Sequence, residues 1–327
     1  MNAGRPRRSE SSVAHDLWGS NELTLDSSGP PWIARVLLTG FELVGGSADI
    51  GPITLRPFTA ASDQRLEEYG RAYEHTCVLE LRYRERTGSS SMYAEPRQLL
   101  DVVFVGLQLV IDGWVGSSVA HHNDASGTDV GTSGGARTST ADSWHPGGEP
   151  QVTLDAAFVD RLKQAVSAQE SALSNAIHRF SNGCTSLITD SIVDFVVVLD
   201  AVLGFGLREE IAHRVAARGA ILLATSPDER WSYYAALKYL YGCRSKFVHD
   251  AATDVDKPSG PQRAALEALG YKWEDGEKAF LNRYQVAEFA RRTARSVIWT
   301  FVSGGARLDN ESLTRLELGI LLPNCRP

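Results

Sequence analysis

The spacing of apolar and polar positions divides the chain in two. Residues 32–43 (WIARVLLTGFEL) and 53–58 (ITLRPF) are rich in β-branched and aromatic residues and are bounded by Gly, Pro and Asp. Residues 77–83 (CVLELRY) alternate apolar with polar. These patterns predict short strands, the last with one face buried. The run 99–110 (LLDVVFVGLQLV) suits a buried strand or a short helix, and its period does not separate the two. From Thr153 onward the period becomes helical. Phe158, Leu162, Val166, Leu173 and Ile177 form one amphipathic stripe over 154–180, with Ser181-Asn182-Gly183 as stop chemistry. Further helices are predicted over 187–203, closed by Gly204 and Gly206, and over 207–224, stopped before Pro227. A fourth opens at Ser226-Pro227-Asp228-Glu229, a cap followed by Pro and acids, and a fifth covers 279–302. Residues 250–276 read as loop.

The fold class expected is therefore α+β: a β-rich N-terminal domain (31–123), then a bundle of four or five helices (151–327). Residues 1–30 mix Ser, Gly, Pro and charge without period and read as a disordered arm. Residues 124–150 are almost all Gly, Ser, Thr, Asp and Pro, the composition of a flexible linker or long loop. Within the 327 residues, 43% are apolar and 22% charged, ordinary for a globular chain. No apolar run is long enough to span a membrane, and the basic N-terminus lacks an apolar core for export, so a cytoplasmic chain is expected. The four cysteines (Cys77, Cys184, Cys243, Cys325) lack metal-ligand spacing and read as buried, reduced thiols.

The net charge of −7 lies wholly in residues 1–150; from 151 onward 21 basic residues balance 21 acidic ones. A binder of nucleic acid by bulk charge is excluded, and any contact with RNA requires a local patch in the second half. Two places there stand out. The helix over 187–203 is apolar on every face except at Asp194 and Asp200. A buried carboxylate needs a cation or hydrogen bonds, and Arg214, Arg218 and Arg244 are the candidate partners. Either the pairs fix helix register, or Asp200 orients a site arginine. The second place is the end of the fourth helix, Tyr241-Gly242-Cys243-Arg244-Ser245-Lys246-Phe247-Val248-His249-Asp250. Arg244 and His249 stand about 140° apart on a regular helix, so they converge only if the helix bends or two copies face each other across a two-fold axis. An arginine that grips phosphate and a histidine that moves protons suffice for RNA cleavage without metal, because RNA carries its own 2′-hydroxyl nucleophile.

Residues 175–251 resemble the Apea-like branch of the HEPN superfamily. The family's helix ending in Arg-Phe corresponds to 176–180, and its acid-punctuated helix D-x-x-x-A-L-E-A-L to 194–203, with Asp200 at the Glu position. An Arg- and Leu-rich helix follows at 214–223. The closing Y-x-x-R-S-K-x-V-H-G is matched by Tyr241, Arg244, Ser245, Lys246, Val248 and His249, with Asp250 in place of Gly. The resemblance covers about a quarter of the chain. It implies a helical bundle that pairs as a homodimer, with Arg244 and His249 as a catalytic ribonuclease pair. Ser245, Lys246 and Tyr241 would be phosphate or RNA contacts, and Asp200 would orient Arg244. It implies no cofactor and no metal. Many such proteins resemble prokaryotic defence or toxin components; others resemble non-catalytic modules that bind RNA or a protein partner.

Other clusters suggest less. His121-His122-Asn123-Asp124 could ligate a metal but has no second ligand pair. The glycines around 131–135 lack the Lys-Ser/Thr of a phosphate-binding loop. Arg291, Arg292 and Arg295 read as a solvated helix face or, alternatively, an RNA track.

Overall fold

The computed structural model describes residues 23–24, 31–50, 52–59, 77–84, 94–124, 129–133, 137, 150–169, 171–207, 209–250, 252, 254–304 and 308–317. The architecture is α+β, strands first and helices after. The main sheet runs in the order β4 (Ala48–Ile50), β5 (Ile53–Pro57), β6 (Cys77–Arg84), β2 (Pro31–Thr39), β7 (Gly116–Asp124), β8 (Asp129–Ser133); β1 (Leu23–Thr24) pairs with β6. β2 lies between antiparallel neighbours, with Val36 opposite Leu79 on β6 and Ala120 on β7. Alternation then sends Ala34, Val36, Leu38, Leu79 and Leu81 to one face, where they join the main core beneath helix α1 (Ala94–Val110). The ambiguous apolar run is thus a helix, seventeen residues long, which is beyond the usual strand. A two-stranded parallel pair, β3 (Glu42–Val44) with β9 (Gln151–Thr153), ties the sheet region to the start of the helices. Gly40, at φ +88°, turns between β2 and β3 so close to the Trp114 carbonyl that no Cβ fits.

Three expectations are corrected. β8 lies inside the stretch expected to be a flexible linker, because the edge of β7 supplies a partner ladder that composition does not reveal. The helix expected over 154–180 is two, α2 (Ala156–Ala168) and α3 (Ser174–Thr185). Gly183 stops neither; it lies inside α3, where a Cβ would stand 2.7 Å from the Phe195 ring. Residues 250–276 hold a further helix, α7 (Gly260–Ala268), which opens where the Ser259 N–H donates to Gln262 Oε1 at 3.0 Å. The N-terminal arm expected over 1–30 lies largely outside the described residues.

Helix α4 (Ile188–Leu203) is central to the bundle and packs on α3, α6 (Pro227–His249) and α8 (Asn282–Gly304). Its Phe195 ring meets Phe180 at 5.5 Å and Trp114 at 5.9 Å, joining sheet region and bundle in one core. α5 (Ile211–Leu223) lies against α6, and α9 (Asn310–Glu317) against α5. No described helix is long and apolar enough to cross a membrane.

α8 is bolted to the end of α1 by charge. The Trp114 indole N–H donates to Glu288 at 2.8 Å, and Arg291, fully buried, donates to both Glu288 and Asp112 at 2.8 Å. Arg295 donates to the Leu109 and Val110 carbonyls, each at 2.7 Å, supplying two of the unpaired carbonyls at the C-terminus of α1. Arg291 and Arg295 are therefore not a solvated face. Burial disfavours the charged forms of Glu288 and Asp112, yet the adjoining guanidiniums outweigh it and hold both carboxyls below their usual range.

Candidate functional site

α6 positions the motif. Ser226 accepts the Glu229 N–H at 3.2 Å, Pro227 follows, and the helix runs unbroken to His249, where the Asp250 N–H still reaches the Lys246 carbonyl at 2.8 Å. No bend intervenes, so Arg244 and His249 stay about 140° apart in one chain.

The inward side of the motif is fixed by Asp200. Its carboxylate accepts the Tyr241 hydroxyl and lies within electrostatic reach of Arg244 without hydrogen-bonding to it. Burial raises the Asp200 carboxyl above its ordinary range, with Tyr241 and Arg244 pulling back. The same burial and the adjacent carboxylate keep the Tyr241 phenol neutral. Tyr241 is thus buried with its hydroxyl on Asp200, so the phosphate or RNA contact expected of it finds no exposed ring or free hydroxyl. Arg244 is half-buried, and its Nε is buried with no hydrogen-bond partner among the described residues. Cys243 beside it is an inert thiol, pushed by burial to about 11.

The outward side is a single stripe. Trp231, Lys238, Gly242, Ser245 and His249 are all exposed and recur at near-integral turns, so that Trp231 and His249 share one face about 27 Å apart. Trp231 is 61% exposed and lies against the Tyr234 ring at 5.7 Å; Tyr234 in turn bonds His213 at 2.8 Å. Apart from its own helix backbone, no atom of the described residues comes within 4 Å of the position a Gly242 Cβ would take. Ser245 is exposed and makes no hydrogen bond among the described residues. Lys246 is exposed but bound to Asp256, so a phosphate must compete with that carboxylate.

The arginine partners expected for the acids are reassigned. Asp194 pairs with Arg179 at 2.8 Å, on the neighbouring helix α3. Arg218, buried, donates to the Leu203 and Phe205 carbonyls and closes the C-terminus of α4. Arg244 alone of the three faces Asp200. His121 and His122 are neighbours in β7 and project to opposite faces of the sheet; His122 bonds the Tyr83 hydroxyl at 3.0 Å. Among the described residues no group of His, Cys, Asp and Glu could hold a metal ion.

Comparison with known protein families, with curated proteins and with solved structures finds no match.

Proposed function

We propose that this chain is a metal-independent endoribonuclease of the HEPN type, cytoplasmic and acting as a two-fold homodimer on RNA. The observation that supports it best is the state of Arg244: a guanidinium half-buried beside a carboxylate it does not bond, its Nε buried and unpaired. Leaving such a donor unsatisfied costs about 1–3 kcal/mol, and a phosphate oxygen would satisfy it. The exposed α6 stripe gives the copies a place to meet. Crossing at Gly242 would bring each His249 to about 10 Å along its helix from the axis, while Arg244, about 200° round the helix from Gly242, would have to swing its long side chain out from Asp200 to join it. Arg244 of one copy would then hold the scissile phosphate and stabilise its developing charge while His249 of the other copy acts as base and, once protonated, as acid. The base removes the 2′-hydroxyl proton, the 2′-oxygen attacks phosphorus, and the acid protonates the departing 5′-oxygen. Ser245 and Lys246 add phosphate contacts, and Asp200, through Tyr241, positions Arg244. A role in defence or toxicity fits the family resemblance.

One observation favours a second reading, a non-catalytic module that binds RNA or a protein. Within one chain the arginine and the histidine face apart, so no single chain holds a complete site. Incubating the protein with RNA in EDTA, beside Arg244→Ala and His249→Ala, separates the two. The enzyme reading requires cleavage by the wild type that either substitution abolishes. A dimer that binds RNA and leaves it intact supports the module, and toxicity on overexpression that disappears with His249→Ala supports the enzyme.

A further inference from the structure

A cavity of about 220 Å³ opens where α6, α8 and the loop after α7 meet the end of α1. It is lined by Tyr233, Tyr271, Arg292, Thr293, Arg295 and Asp112. Nearly all its polar groups are donors. Arg292 spends its Nε on Glu288 at 2.7 Å, and its two terminal nitrogens have no hydrogen bond among the described residues. Arg295 spends Nε and one terminal nitrogen on carbonyls, leaving the other 3.7 Å from Asp112, beyond hydrogen-bond length. The Tyr233 and Tyr271 phenols, kept neutral by burial, bond no described residue. Thr293, 3% exposed, has a hydroxyl with no partner among the described residues. Oδ1 of the one lining carboxylate, Asp112, accepts from Arg291 at 2.8 Å and stands 3.7 Å from Arg292 and Arg295.

With two guanidiniums and four hydroxyls, the fourth from Ser296, against a single carboxylate already held by arginine, the pocket is complementary to a small anion rich in acceptors. Its volume holds roughly seven waters and falls below the range of about 300–1,000 Å³ that takes drug-sized ligands. We propose that it binds a phosphate oxyanion, free or as the ester of a small metabolite, and that the bound ion strengthens the junction between sheet region and bundle. The site is separate from the α6 motif and does not rest on the ribonuclease reading.

The test is calorimetry and thermal melting of the full chain in sodium phosphate against sodium chloride at equal ionic strength, with sn-glycerol 3-phosphate as a second ligand. The wild type should bind phosphate saturably, with a rising melting midpoint. Arg292→Gln and Tyr271→Phe should each weaken binding at least tenfold. Tyr271→Phe keeps the ring that packs edge-on against Phe289 at 5.4 Å, so its midpoint in chloride should match the wild type. Tighter binding of the ester than of phosphate identifies an esterified ligand, and weaker binding identifies the free ion. Absence of saturable binding, or equal phosphate effects in wild type and both variants, overturns the site.

Discussion

Asp200 is the residue where packing and, in the proposed ribonuclease, chemistry meet. It lies on an apolar helix, where burial disfavours its charge, and it is kept there by Tyr241 and the field of Arg244. Because its folded pKa is raised, the native state holds the proton more firmly than the unfolded chain. Stability linked to this group is therefore present below the ordinary carboxylate range and lost as pH rises through it. Asp200→Asn should gain stability over the wild type as pH rises from about 4 to 7, a trend that urea titrations at several pH values read directly. The same variant should weaken RNA binding if Asp200 positions Arg244. The importance of Asp194 and Asp200 was legible in the sequence, since carboxylates on an otherwise apolar helix need compensation. Their partners were not: Arg179 belongs to the antiparallel neighbour α3, and only the packing of α3 on α4 brings it within 2.8 Å of Asp194.

At the scale of elements, glycines with one identity do opposite work. Gly204 ends α4 as the pattern predicts, whereas Gly183 lies within the last turn of α3, where the Phe195 ring fills the space of a side chain. Gly183→Ala should destabilise the fold by about 1–3 kcal/mol, checked by chemical denaturation. A Gly242 Cβ would meet no described atom within 4 Å apart from its own helix backbone, so Gly242→Ala should stabilise the isolated subunit by about 0.5–1 kcal/mol. If α6 packs on its copy there, the same change should shift sedimentation towards monomer. Helix α6 was readable from its cap to its end because Ser226, Pro227 and the acids after it are local signals. β8 was not, because strand pairing is decided by the neighbouring edge. α7 carries a local signal in Ser259 and Gln262, obscured by the polar residues around it.

Across the whole molecule, sheet region and bundle are joined through Trp114, Glu288, Arg291 and Asp112. Arg291 has the lowest exposure possible and neutralises two carboxylates; deleting it leaves Glu288 buried without its main cation. Arg291→Ala should cost about 3–5 kcal/mol by thermal or urea unfolding, whereas the neighbouring half-exposed Arg292 should cost far less. Helical spacing grouped these arginines correctly but placed them in solvent, since the carbonyls of α1 that receive Arg295 lie some 186 residues away in the chain. The order of strands before helices was legible in the change of period near Thr153, while the contact between the parts was not.

The ribonuclease account stands on a site shared between two copies, because a straight α6 turns Arg244 and His249 away from each other within one subunit. Mixing Arg244→Ala with His249→Ala and following RNA cleavage in EDTA tests this directly. Each variant alone should be inactive, and random exchange should restore about a quarter of wild-type activity, since half the dimers are mixed and each mixed dimer rebuilds one of two sites. Mixed dimers that form and leave RNA uncut, while wild type cleaves it, would contradict the shared site.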